Sequence, residues 1–386
     1  MEYQFSVTTI ESGEIKIPFT SLSGKIENNI LSYALEVKDA GKKQQYFIAG
    51  DLNHNNAKNV LKINAENFVL NYDKWNINAE NAIEFGDKRL YINQFYLDNS
   101  GNELKIQSQG NQDNAPLKID FVNFKIETIM NMVKKDKLLM QGLINGNAVV
   151  ENVMISPIFT SDIKIDKFAF KGEPVGDIAI KVDNKTNNVL AANVVLSGEG
   201  NDVSLVGTYK INEATFDLDL DLKKLNIKSI QGFSMDHIKE GTGYLSGNFK
   251  ITGNTDAPKL NGELNFNDAG FRTARLNSYF KVPNEKIKFQ NEEIAFDNFT
   301  LYDENDNELS VNGTIKSADF RNFDFGLTII ANDFRAIHSK AADNDLFYGD
   351  LVLDTKLNIQ GTIDNPIVGG TIKIKEDTKF TIVLPQ

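Results

Sequence analysis

FDLDLDL, residues 216–222, decides the fold. Phe216, Leu218, Leu220 and Leu222 alternate with Asp217, Asp219 and Asp221, and successive side chains of an extended chain point to opposite faces. The stretch is a strand with one dry face and one wet face. Strands of a parallel sheet held between helices are apolar on both faces, so this one belongs to an antiparallel sheet. By the same geometry the three aspartates stand about 7 Å apart on the solvent side, with no loop to wrap them as a metal site.

The same parity recurs outward in both directions. LVLDTKLNI carries Leu351, Leu353, Leu357 and Ile359, and FDFGLTI carries Phe323, Phe325, Leu327 and Ile329. Shorter versions are IKI at 15–17 and 163–165, Phe249 and Ile251, Leu264 and Phe266, Leu309, Val311 and Ile315, and Ile372 and Ile374. Strands recur about every 8 to 14 residues, the spacing of an all-β meander. Turn signals separate them: NNAK (55–58), DNSGNE (98–103), SGEGND (197–202) and DENDNE (303–308). FYLDNSGNELKI (95–106) and FTLYDENDNELSV (299–311) read as one hairpin used twice. DENDNE resembles a calcium loop only superficially, since Glu308 stands where glycine is needed and Thr314 where a bidentate glutamate is needed.

Three segments break the alternation. IETIMNMV (126–133) and IKSIQGFSMDHI (227–238) have helical spacing and predict short helices, while RAIHSKAADNDL (335–346) reads as an irregular excursion. Met130 and Met132 in the first of these predict a corner plug.

The phrase ITGNTDAPKLNG (251–262) returns 108 positions later as IQGTIDNPIVGG (359–370). The helical segments align at an offset of 101, which also pairs Gly146 with Gly247 and Pro157 with Pro258. The chain of 386 residues therefore reads as one continuous architecture of repeats, with approximate units 1–123, 124–224, 225–333 and a partial 334–386. Gly253, Pro258, Gly262, Gly361, Pro366 and Gly370 mark the repeated turn, where proline cannot donate to a ladder and glycine adopts φ values closed to other residues. About 25 to 30 strands in one sheet would run on the order of 120 to 140 Å, and a sheet that wide twists and curls.

Composition narrows the function classes. A net charge of −12 and a pI near 4.9 argue against a basic stripe for nucleic acid. With no cysteine, three scattered histidines (His54, His237, His338) and no nucleophile, phosphate-loop or zinc motif, the chain offers no catalytic set and no cofactor or metal site. The absence of cysteine fits a reducing or an oxidising compartment equally. No signal-peptide pattern follows Met1, no run of 18 apolar residues occurs, and the start reads as mid-strand, which points to an interior piece of a longer exported chain.

The repeated IxGxxDxPxxxG signature, the GxLxG-like segment at Gly243–Gly247 and segments such as YFIAGDL (46–52) and DKWNINAENAIEFGDKRLYINQF (73–95) resemble the TamB (DUF490) family of AsmA-like proteins. The resemblance covers essentially the whole chain. It implies a U-shaped β-taco groove, a long curled antiparallel sheet with an apolar lining and a few short helices. It further implies a periplasmic location, an inner-membrane anchor in the full-length protein, phospholipid acyl chains as ligand, and an Omp85-family outer-membrane barrel (TamA-like) as partner through regions absent here. A monomer is expected.

The candidate lining is the set of alternating apolar residues from Phe216 to Ile374 named above. Two function classes stay open: a hydrophobic groove that conducts phospholipids between inner and outer membrane, and a scaffold or chaperone for outer-membrane protein assembly and secretion. An adhesin built of closed sandwiches ranks last. Alternation alone favours side chains packed against one another in a closed core; the repeat and the resemblance favour an open trough.

Overall fold

The computed structural model describes all residues except 13–14, 56–57, 87–88, 134–138, 155–156, 344 and 384–386. Strand accounts for 72% of the chain and helix for 4%, so the fold is all-β. Two compact units are present: Met1–Phe168 with Ala179–Asn184, and Ala169–Ile178 with Lys185–Gln386. Among the described residues the larger sheet is antiparallel and has about twenty strands, Asn76–Ile77 and then the strands from Phe95–Asn99 to Lys379–Ile382 in chain order. It is not a closed barrel: among the described residues Asn76–Ile77 pairs with Phe95–Asn99, and Lys379–Ile382 with Phe347–Thr362.

The first unit also holds a separate nine-stranded sheet. Ile26, Leu31, Leu52, Leu61, Ile83 and Ile92 lie directly opposite one another across six of its strands, a continuous apolar row. The single sheet expected from the alternation is divided where residues 64–81 turn inward. There Phe68, Leu70, Trp75 and Ile77 bury themselves against Ile63 from one sheet and Leu97 and Phe124 from the other. Buried Asn81 secures this corner, accepting from the Ile63 N–H (2.9 Å) and donating to the Ile63 carbonyl (2.7 Å).

Of the expected helices, Ile126–Val133 forms in full length, although the side chain of Met132 lies outside the described residues. The second is shorter than its spacing implies: Ile227–Ile230 passes into a 3-10 turn, Gln231–Ser234, and a strand begins at Ile238. The excursion expected at 335–346 is strand as far as Ser339. Register shifts between Ala331 and Phe334 and between Arg335 and Ile337 scramble the period of two, which hides the strand in the sequence. Of the expected turns, that at 55–58 falls partly on residues 56–57, outside those described.

The turn at 303–308 does more than reverse the chain. Asp303 is 1% exposed, and its carboxylate accepts from the N–H groups of Asn305 (2.8 Å), Asn307 (2.9 Å) and Arg335 (2.7 Å), tying the hairpin to a strand 32 residues away. Asp303→Ala leaves these donors without an acceptor in a buried site. It should lower stability by about 1–3 kcal/mol in urea denaturation.

Asp319 plays a similar part at the surface between the strands Glu308–Lys316 and Asp324–Ser339. The N–H groups of Asn322 and Arg321 hold its carboxyl at about 2, below the usual 3.8. Because the folded value is the lower one, its contribution is complete at neutral pH and fades as the pH falls through about 4 towards about 2. The stability lost in Asp319→Ala should therefore be full at pH 7 and shrink over that window, as read by denaturation at stepped pH.

Candidate functional site

Register turns the alternating stretches into a surface. In the second unit Leu196, Val203, Leu222, Gly247, Leu264, Ile287, Phe296, Gly313, Leu327, Ile359 and Val368 face one another in turn across eleven strands. The neighbouring row runs Val194, Leu205, Leu220, Phe249, Gly262, Phe289, Ile294, Ile315, Phe325, Gly361 and Pro366. Neither row contains a polar side chain. One residue out of phase, on the other face, the ladder reads Asp219, Lys250, Asn261, Gln290, Glu293, Lys316, Asp324 and Thr362. Lys250 there bridges Asp217 and Asp219, the latter at 3.0 Å, so these aspartates sit in a solvated ion-pair face.

Two glycines show how the rows bend. A Cβ at Gly313 (φ +121°) would stand 2.0 Å from the Gly326 carbonyl oxygen, and one at Gly262 (φ +156°) 2.1 Å from that of Asn248. The neighbouring strand approaches the apolar face too closely at these points for any side chain, and such kinks let a sheet curve.

The residues expected to line a groove fall into three groups by exposure. Leu222 and Phe249 are buried. Ile372 (58%) and Ile374 (62%) are exposed on the strand Asn365–Ile374. Phe216, Leu218, Leu220, Ile251, Leu264, Phe266, Leu309, Val311, Ile315, Phe323, Phe325, Leu327, Ile329, Leu351, Leu353, Leu357 and Ile359 are half-buried. Phe323 stands just outside strand pairing, and Phe266, Leu309 and Val311 pack against buried clusters. Gly253 pairs with Pro258 and Gly361 with Pro366 at hairpin ends, whereas Gly262 and Gly370 lie inside strands, opposite Phe249 and Leu357. Leu196, Val203, Ile287, Phe289, Ile294 and Phe296 join the rows without having been singled out, although IKF at 287–289 carries the same alternation in miniature.

Most of these large apolar side chains are thus half-buried, between the exposure of a free surface and that of a sealed core. The histidines stay apart: His54 bonds Asn59, and His338 bonds Asp350 at 2.5 Å. Among the described residues no group of side chains could hold a metal ion, and no helix is long and apolar enough to cross a membrane.

The family model described as TamB C-terminal domain matches residues 190–300 and 297–386, a span that takes in both apolar rows. No curated protein and no solved structure matches the chain.

The kink at Gly313 has a matched control in Gly326, where an added Cβ would meet nothing nearer than 3.6 Å. Gly313→Ala should cost about 1–3 kcal/mol, and Gly326→Ala less than about 0.5 kcal/mol, in parallel thermal and urea denaturation.

Proposed function

This chain belongs to the TamB family, and from that premise we propose that its apolar face is a segment of a hydrophobic groove that conducts phospholipids between the inner and outer membranes. Family membership itself supports a role in envelope assembly. The finer reading rests on one observation, the two rows across eleven strands in which every position is apolar, glycine or proline and most side chains are half-buried.

The physics of such a strip suits acyl chains. Each methylene withdrawn from water is worth about 0.8 kcal/mol, so hydrocarbon laid along a row is retained without any specific contact. Headgroups stay outside, since the rows hold no donor, acceptor or charge to replace water around a phosphate. Because neighbouring positions are chemically alike, a chain shifting from one strand to the next exchanges like for like. Polar alternation on the opposite face keeps the segment wet on its outside, as a periplasmic position would require.

A second reading, a scaffold for outer-membrane proteins acting beside a TamA-like barrel, is favoured by a different observation. The strand Asn365–Ile374 is exposed along its whole length, with Ile367 at 67% and Val368 at 57%. Open strands with apolar side chains invite pairing with an incoming strand.

Photo-crosslinking in cells separates the two. A reactive side chain at Leu218 or Phe325 should yield phospholipid adducts, and the same group at Asp219 or Asp354 should not. Adducts to nascent outer-membrane proteins, concentrated at Ile367 and Ile374, would instead support the scaffold and overturn the conduit.

A further inference from the structure

The apolar face is not open along the whole length of its strands. In the second unit Phe280 and Phe334 stack with ring centroids 5.6 Å apart and planes 9° apart. Their strands, Tyr279–Val282 and Asp324–Ser339, are separated by Glu293–Tyr302 and Glu308–Lys316. Three ladder steps on a flat sheet would hold them about 14 Å apart. The two strands therefore converge here, past the turn at 303–308 that ends the two strands between them. Backbone contacts secure the approach: the His338 N–H donates to the Leu276 carbonyl (3.0 Å), and the Ser278 hydroxyl to the Ala336 carbonyl (3.1 Å). Val282, Ala331 and Phe334 are 1–2% exposed.

The boundary between closed and open halves is built by a recurring device. FDNF (296–299) and ANDF (331–334) each form a bulge that leaves the third residue in the left-handed region, Asn298 at φ 47° and Asp333 at φ 49°. The N–H of that residue donates to a side chain on the next strand, Asn312 Oδ1 (2.8 Å) or Asp354 Oδ1 (2.9 Å). The phenylalanine that follows is buried. The first unit repeats the device in FVNF (121–124): Asn123 at φ 46° donates to Asn145 Oδ1 (2.8 Å), and Phe124 is buried 6.0 Å from Trp75. Three bulges with one chemistry, each followed by a buried phenylalanine, make a designed boundary.

Resting on the groove reading above, we propose that these bulge-seated aromatic clusters are plugs that close one end of the strands, so that hydrocarbon is confined to the open rows through Leu327 and Phe325 and to Leu218 beside them. The groove is then one-sided. Its ligand class is acyl chains lying across the strands along those rows, and the half of each strand beyond the bulge is unavailable to them.

The single tryptophan makes this testable in the native chain. Trp75, 3% exposed, sits in the plug of the first unit. Phospholipid brominated on its acyl chains quenches tryptophan only at short range, so it is added to the intact protein and to Phe325→Trp and Leu218→Trp, each also carrying Trp75→Phe. Phe280→Trp in the same background probes the second plug. The expected result is at least a twofold loss of emission at positions 325 and 218 and less than a tenth at Trp75 and position 280. Quenching at the open rows and at Trp75 alike would leave the groove reading standing and overturn the plugs, as would quenching confined to Trp75. No quenching at positions 325 and 218 would sink the groove reading and the plugs with it. Should Phe280→Trp fail to fold by circular dichroism, Trp75 decides alone.

Discussion

Everything in this structure depends on register. A strand has only two faces, and a slip of one residue against its neighbour sends every apolar side chain to the wrong one. Across eleven strands of the second unit no such slip occurs: Leu196 reaches Val368 through an unbroken series of direct partners. Even the bulges respect the constraint. Between Phe296 and Phe299 the strand carries two residues where its partner, between Gly313 and Val311, carries one, so both phenylalanines stay on the apolar face while the strand bends.

On the groove reading, a face left open in this way is stabilised elsewhere. Half-buried leucines and phenylalanines return only part of the burial energy of fully buried ones, and small buried clusters lie beside the bulges. Trp75 with Phe124, and Phe280 with Phe334, are buried, whereas most row members are half-buried. Buried polar groups do the rest of the fixing. Asn81 and Asp303 each satisfy several backbone groups at once, and both sit where the chain turns inward beside a cluster. On that reading, stability and openness are allotted to different parts of the same strands.

The strand character, the antiparallel pairing and about half of the apolar row members were legible in the sequence, because period-two alternation is a local signal and FDLDLDL states it without ambiguity. The division into two sheets was not. It depends on Trp75 and Phe68 burying themselves against strands distant in the sequence, and nothing local distinguishes those residues from row members. The stretch 335–346 misled for a related reason, since bulges replace alternation with a pattern that looks irregular. FVNF, FDNF and ANDF were visible as strings all along. Their shared meaning appears only with the left-handed φ of the third residue and its bond to an asparagine or aspartate on the next strand. Asp303 likewise reads as one acidic turn residue among several until its buried partner, the Arg335 N–H, is known.

On the proposed function, the same arrangement explains why a conduit need not contain a binding site in the usual sense. Transfer along a track requires that hydrocarbon enter favourably at each position and leave without a large penalty. A deep pocket with convergent polar groups would fail the second condition. Rows of Leu, Ile, Val and Phe repeated at strand spacing meet both, because the free energy of an acyl chain is nearly the same one ladder step further on. Glycines at 247, 262 and 313 shape the surface without adding a polar group, so the path bends while its chemistry stays constant. The aromatic clusters then set the limit that a uniform strip lacks: with one end of the strands filled, the low-energy direction left to a hydrocarbon chain runs along the rows.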